Sequence, residues 1–150
     1  MHKIFGNKQE LEYTDRQGAY LIPVQDGKVA VVQVPKGYFL LGGGLHGNES
    51  HSECINRECI EEAGIAVKIG ERVCSAESFG VHPQIGPFHP IQTYYVGEVL
   101  GRVTVPCESD HTLVWLDIST IKGKLYLEMQ NWALEQYIEY MSCKEHKQVT

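Results

Sequence analysis

The most constraining feature of the sequence is the stretch from residue 40 to residue 65, which reads LLGGGLHGNESHSECINRECIEEAGI. Ser50 followed by Glu53 fits a capping box, so the spacing predicts a helix that starts near His51. Gly64 fits the position after a helix end, where a residue in the left-handed conformation is favoured. The stretch therefore predicts a glycine-rich loop followed by one short helix.

The predicted helix concentrates acidic side chains on one side. Successive helical residues turn by about 100°, so Glu58, Glu61 and Glu62 share one stripe. Like charges at this spacing repel by about 0.2–0.5 kcal/mol per pair, and the last turn of a helix favours cations. A divalent cation would remove the repulsion, and Mg²⁺ takes carboxylate oxygens while it keeps several waters. The pattern favours a metal site; the alternative is a solvated acidic helix. The residues predicted to face a core are Ile55, Cys59, Ile60 and Ala63.

The same residues resemble a known family motif. From Gly43 to Ile65 the chain matches the Nudix box, G-x5-E-x7-R-E-U-x-E-E-x-G-U, in which U is a bulky apolar residue. The match spans 23 of 150 residues and fixes nine positions at rigid spacing. Cys59 stands at one apolar position, which a buried free cysteine can fill. At two positions that the box does not fix, Leu41 and His46 stand where many family members have Pro and Glu.

This resemblance to the Nudix hydrolase superfamily, of the MutT-like kind, implies a fold and a reaction. The implied fold is α/β, an α/β/α sandwich in which helices flank a mixed sheet, over a single domain of residues 1–150. The implied reaction is hydrolysis of a phosphoric anhydride bond in a nucleoside diphosphate linked to another moiety. The alternatives are an ADP-ribose hydrolase, a dinucleoside polyphosphate hydrolase, or a catalytically weak ligand-binding regulator with the same fold.

The resemblance also implies roles for individual residues. The implied ion is Mg²⁺, with Mn²⁺ as the alternative. Arg57 and Glu49 are implied as a supporting pair that holds the loop against the helix. The implied metal ligands are the carboxylates of Glu58, Glu61 and Glu62 and the carbonyl of Gly42.

The general base has two candidates, a glutamate of the box and an acid later in the chain. Glu108 precedes a predicted strand that starts at Leu113, which resembles the acid-then-strand arrangement of many family members. The alternative for Glu108 is an exposed loop acid. His111 beside it is a candidate proton shuttle or an ordinary surface residue. Further candidates for contact with phosphate or base, which flank the box, are Lys36, Tyr38 and His46.

The segment from Gly80 to Pro90 contains three prolines and is predicted to be a loop. Its prolines lower the entropy of the free state, which would suit a segment that orders around a ligand. The alternative is an ordinary surface connection. Its candidate substrate contacts are Phe88 and Ile85 for a base, and His82 and His89 for a phosphate or ribose.

Apolar periodicity predicts the remaining elements. The predicted strands run from Ala19 to Val24, Val29 to Val34, Tyr38 to Leu41, Val67 to Phe79 (with a bend), Ile91 to Leu100 and Leu113 to Ile118. A second helix is predicted from Tyr126 to Met141.

Composition narrows the partners and the compartment. The net charge of −6 argues against a nucleic-acid-binding surface, which needs a basic stripe. Five cysteines without a CxxC pair predict reduced thiols and a cytoplasmic protein. No apolar run approaches 18 residues, so no membrane partner is expected. The expected partner is a small nucleoside diphosphate derivative, and the resemblance adds a homodimer as one state of assembly.

Overall fold

The computed structural model describes residues 1–149 as a mixed β-sheet with helices on both faces. The strands are β1 (His2–Phe5), β2 (Thr14–Gln25), β3 (Lys28–Val34), β4 (Gly37–Phe39), β5 (Leu41–Gly44), β6 (Ile65–Ser78), β7 (Gly80–His82), β8 (Gly86–Arg102) and β9 (Thr112–Asp117). The helices are α1 (His51–Ala63), α2 (Ile118–Ile121) and α3 (Glu128–Val149). No helix in this part of the chain has the length and apolar character needed to cross a membrane.

The sheet is organised around β2. This strand pairs in parallel with β8, from Thr14↔Phe88 to Pro23↔Gly97, and antiparallel with β3 and β5. On one side β8 continues to β6 and then to the edge strand β1. On the other side β3 pairs antiparallel with β4 and β9. Parallel and antiparallel ladders therefore occur in one sheet, as expected for a mixed sheet.

Two apolar cores lie on opposite faces of this sheet. Neighbouring strand residues point to opposite faces, so Leu21 packs with α1 whereas Ile22 packs with α3. The core under α1 includes Ala19, Leu21, Val32, Leu41, Ile55 and Cys59. The core under α3 includes Ile22, Val31, Tyr94, Met129, Ala133 and Leu134. The expected α/β/α sandwich is confirmed.

The glycines predicted to form a loop before α1 lie in a strand instead. Gly42 to Gly44 belong to β5, which pairs antiparallel with β2 from Leu21↔Leu41 to Gly18↔Gly44. A Cβ atom on Gly42 would stand 2.2 Å from the Ala19 carbonyl oxygen. The loop prediction was wrong because these glycines permit close approach of neighbouring groups, and do not serve a turn.

The segment from Gly80 to Pro90 was also predicted wrongly as a loop. It forms a hairpin in which β7 pairs antiparallel with the start of β8, from Gly80↔Phe88 to His82↔Gly86. Pro87 and Pro90 lie in β8 before its ladder with β6 begins at Ile91. Proline is tolerated near the start of a strand, so its presence did not exclude one here.

The other predicted elements are present with shifted ends. The bend predicted in β6 corresponds to register shifts between Ile69 and Arg72 and between Arg72 and Cys74. The second helix starts two positions later than predicted, at Glu128, and is longer. The two-residue shift at the start of this helix is within the uncertainty of helix ends, but its extension from Met141 to Val149 is larger and was not predicted.

Candidate active site

Helix α1 begins and ends where its capping residues predict. The Ser50 hydroxyl accepts from the Glu53 N–H at 3.1 Å, and the Glu53 carboxylate accepts from the Ser50 N–H at 3.0 Å. Gly64 ends the helix with a φ of 63°, in the left-handed region. The predicted capping box and glycine cap are confirmed.

The acidic stripe of α1 faces the protein at Glu58 and Glu62, whereas the Glu61 side chain is 37% exposed. Glu62 is only 7% exposed, whereas Ile60, predicted to face the core, is 41% exposed. The prediction for Ile60 was wrong. The centre of the buried side of the helix lies closer to Glu58 and Glu62 than to Ala63, so Ile60 falls outside the buried side. The buried residues of α1 are Cys54, Ile55, Cys59, Glu62 and Ala63.

Strand β5 allows these carboxylates to approach. The Glu62 carboxylate accepts from the Gly42 N–H at 3.0 Å. A Cβ atom on Gly43 would stand 2.6 Å from Cδ of Glu58, so a side chain there would displace that carboxylate. The glycines next to the helix thus make room for acids of the helix.

Arg57 connects three of the acids to β5. Its Nε donates to Glu49 at 2.6 Å, and its Nη1 donates to Glu58 at 2.7 Å and Glu61 at 3.2 Å. Its Nη2 donates to Glu49 and to the Gly44 carbonyl, both at 3.0 Å. Arg57 and Glu49 lie together, and this guanidinium uses all five of its N–H groups within the protein.

The electrostatics of these acids differ. The hydrogen bonds from Arg57 lower the pKa of Glu49 to about 2. Burial raises the pKa of Glu62 well above its ordinary value, and the nearby charges of Glu58 and Glu108 raise it further. Burial also raises the pKa of Glu58, which Arg57 partly opposes. The site therefore holds negative charge that Arg57 only partly compensates.

A segment distant in sequence completes the acidic site. The Val103 N–H donates to the Gly64 carbonyl at 2.8 Å, and the N–H groups of Cys107 and Glu108 donate to the Glu61 carbonyl. These bonds use carbonyls at the end of α1 and bring Glu108 beside the box glutamates. The structure thus brings together the predicted acids of the helix and the predicted late acid.

His111 lies between Glu108 and Glu62. Its Nε2 is 3.0 Å from a Glu108 oxygen and 3.8 Å from a Glu62 oxygen, and its Nδ1 is 2.8 Å from Asp110. Among the described residues, Glu108, Asp110 and His111 form the group whose potential metal-ligand atoms all lie within 4.8 Å of one another. Glu58, Glu61 and Glu62 do not form such a group. Arg57 donates to the first two, and the Gly42 N–H donates to the third.

Two adjoining cavities run from these acids to the hairpin. The first, of about 370 Å³, includes Gly42, Glu62 and His111 in its lining. The second, of about 330 Å³, includes Arg16, Gly44, His82 and Phe88. Both cavities are lined by Tyr20, Lys36 and Phe39. Together they form one groove, the substrate groove.

The substrate groove includes some predicted contacts and excludes others. It is lined by three of the predicted substrate contacts, Lys36, His82 and Phe88. His89 does not, because its ring nitrogens lie 2.7 Å from Asp15 and 2.9 Å from Glu77. The other candidates that do not line it are Tyr38, His46 and Ile85.

Among the groove residues that the sequence did not predict are Arg16 and Tyr20. Both lie on β2, far from the motif in sequence, and neither belongs to a local pattern with a chemical meaning. The signal that could have found them is the alternation of the strand, which places Arg16, Gly18 and Tyr20 on one face.

Comparison with known proteins decides the family. The Nudix domain model matches residues 14–138. The chain belongs to the Nudix family. It is thus a Nudix hydrolase, of the class that acts on phosphoric anhydride bonds. The comparison with curated proteins finds no match.

Solved structures of Nudix proteins share the fold. A MutT Nudix hydrolase from Burkholderia pseudomallei superposes with a TM-score of 0.67 at 24% identity, covering 82% of this chain and 98% of that one. A Nudix hydrolase from Nitrosomonas europaea gives 0.67 at 18%, covering 84% and 90%. An ADP-ribose pyrophosphatase from Streptococcus suis gives 0.64 at 20%, covering 85% and 92%. At these identities the likeness establishes the fold.

Proposed function

We propose that this Nudix hydrolase is a Mg²⁺-dependent pyrophosphohydrolase that cleaves a nucleoside diphosphate linked to another moiety, with a MutT-like nucleotide as substrate. The observation that carries the proposal is the buried Glu62 carboxylate. It accepts from the Gly42 amide, it lies near three further carboxylates, and its raised pKa marks an environment that lacks positive charge. A divalent cation would supply that charge.

The donor set fits Mg²⁺. Carboxylate and carbonyl oxygens are hard ligands, and Mg²⁺ binds through few protein groups plus water and substrate oxygens. When bound, the ion neutralises phosphate oxygens and lowers the pKa of a coordinated water. Mn²⁺ is the alternative ion. The residues proposed to hold it are Glu58, Glu61, Glu62 and, through its carbonyl, Gly42.

The remaining acids and Arg57 receive distinct roles. Arg57 and Glu49 position the ligand carboxylates, because Arg57 bonds to Glu58, Glu61 and the backbone of β5. Glu108 is the proposed general base, since it lies beside the box acids and keeps 39% of its side chain exposed to water. A box glutamate is the alternative base.

We also propose one domain over residues 1–150, a cytoplasmic location, a small-molecule substrate without nucleic-acid binding, and a homodimer as a candidate assembly. Five cysteines, three of them buried, are unpaired, which suits a reducing compartment. The net charge of −6 does not favour a surface that binds a polyanion such as a nucleic acid.

The test is a substrate screen with and without metal. Nucleoside triphosphates, ADP-ribose and dinucleoside polyphosphates are incubated with Mg²⁺, and the phosphate-containing products are quantified. We expect turnover with Mg²⁺, none in excess EDTA, and a loss of at least about 100-fold in kcat for Glu62→Gln. Undiminished hydrolysis in EDTA contradicts the proposal.

The matched control is Glu53→Gln on the same helix. Glu53 points away from the acidic stripe, and glutamine preserves the capping box, so turnover should stay within about twofold of the wild type. Equal losses for the two variants would contradict the assignment of Glu62.

A further inference from the structure

Arg16 lies in the substrate groove against strand β5. A Cβ atom on Gly44 would stand 2.2 Å from Nε and 2.5 Å from Nη2 of Arg16. Gly44 does not have a positive φ, so its backbone does not require glycine. The missing side chain at Gly44 therefore creates the space that the Arg16 guanidinium occupies.

This guanidinium has no partner among the described residues. Neighbouring acids are already engaged, because Asp15 pairs with His89 and Glu58 pairs with Arg57. Arg57 in turn has every N–H bonded within the protein. Arg16 thus presents an unused planar fork of five donors, a geometry that matches the oxygens of a phosphate.

The groove has an order of chemistry that matches a nucleotide. Glu62 lines the first cavity, Lys36 lines both cavities, and Arg16 lines the second cavity together with Phe88 and Tyr126. In a nucleoside diphosphate derivative the flat base lies at the nucleoside end, and the phosphoryl group esterified to the nucleoside forms one side of the anhydride. Aromatic side chains suit the base, and a guanidinium suits the phosphate.

We propose that Arg16 binds the phosphoryl group of the scissile anhydride that is esterified to the nucleoside. The inference rests on the proposed function, and it assigns the nucleoside half of the substrate to the cavity that Arg16 of β2 lines. Lys36 adds positive charge to the same cavity, but a flexible ammonium does not provide the bidentate geometry.

The first test measures binding without turnover. Calorimetry in excess EDTA compares the affinities of wild type and Arg16→Ala for ADP and GDP. Because the contact is a charge-assisted hydrogen bond, we expect Arg16→Ala to weaken the tighter of the two by roughly 10–100-fold. Arg16→Lys should recover only part of the loss. The matched control is Arg72→Ala, an exposed strand arginine outside the groove, which should bind as the wild type does.

A second variant separates the position of Arg16 from its charge. Gly44→Ala keeps arginine at position 16 but puts a methyl group where the guanidinium lies, so the flexible arginine side chain must move away. We expect Gly44→Ala to weaken nucleotide binding, and the double variant to bind no worse than Arg16→Ala alone, since both changes remove one contact.

The outcomes distinguish this inference from the proposed function. Lack of ADP and GDP binding by the wild type, or equal affinity in Arg16→Ala, overturns the role of Arg16. In the kinetic assay, Arg16→Ala should lower kcat/KM by a similar factor without changing the Mg²⁺ concentration at half-maximal rate. A shifted Mg²⁺ requirement would also overturn it. Absence of Mg²⁺-dependent turnover by the wild type contradicts the proposed function instead.

Discussion

Glu49 and Glu62 belong to the same motif, yet their pKa values are shifted in opposite directions. Glu49 receives two hydrogen bonds from Arg57, which favour its charged form. Glu62 is buried beside other carboxylates, which disfavours its charged form. At the scale of the residue, position in a motif does not determine the chemistry; the partner of each carboxylate does.

The lowered pKa of Glu49 predicts a pH dependence of stability. Its pKa is about 2 in the folded protein and 4.5 ordinarily, so ionised Glu49 stabilises the fold above pH 4.5. This contribution is lost as the pH falls from about 4.5 through 2. We expect Glu49→Gln to unfold at lower urea concentration than the wild type at neutral pH, with the gap closing over that interval.

The control for this experiment is Glu139→Gln, an exposed acid on α3, which should follow the wild-type curve. Urea midpoints measured at several pH values decide the result. If the difference in urea midpoint between Glu49→Gln and the wild type stays constant with pH, the ionisation of Glu49 is not the cause of the lost stability.

The elements differ in how far the sequence could predict them. Helix α1 was predicted to its ends because each end is set by residues close in sequence: Ser50 bonds to Glu53 at the start, and Gly64 bonds to Ile60 at the end. The β7–β8 hairpin was not predicted, because prolines are a common signal of a loop. The pairing of β8 with β2 depends on residues that are far away in sequence. The placement of Glu108 beside Glu62 likewise depends on bonds to the end of α1 that no local pattern encodes.

The hairpin offers a prediction about substrate selection. Phe88 lines the substrate groove, so its loss should remove apolar contact with part of the substrate beyond the anhydride. We expect Phe88→Ala to change the ratio of kcat/KM between two substrates by roughly tenfold or more, with an unchanged Mg²⁺ requirement.

Val81→Ala on the same hairpin is the control for Phe88. Val81 is 74% exposed and lies outside the substrate groove, so the ranking of substrates should stay as in the wild type. If Phe88→Ala also leaves the ranking unchanged, the hairpin is scaffold, and selection must reside elsewhere in the groove.

At the scale of the whole molecule, a buried polar network links the C-terminal helix to the site. Gln130 of α3 accepts from the Leu40 N–H at 2.9 Å and donates to Gln92 of β8 at 3.2 Å. Gln92 also accepts from Tyr94 at 2.7 Å and contacts the Tyr20 hydroxyl, which lines the groove. Apolar periodicity predicted the main strands and the last helix, and the family resemblance implied the sandwich, but neither predicted this network, because a buried glutamine gives no periodic signal.

Removal of this link should destabilise the whole fold. Gln130→Leu replaces the amide by an apolar side chain of similar size and helix propensity, and it leaves the buried Leu40 N–H without its acceptor. An unsatisfied buried donor costs about 1–3 kcal/mol, so the free energy of unfolding in urea should fall by that amount. Gln136→Leu, on the same helix without a comparable bond, should change stability by less than about 0.5 kcal/mol. Equal stability of the two variants would mean that α3 is held by its apolar contacts alone. A selective loss for Gln130→Leu would mean that the segment before Gly42 depends on a residue of the last helix for its position.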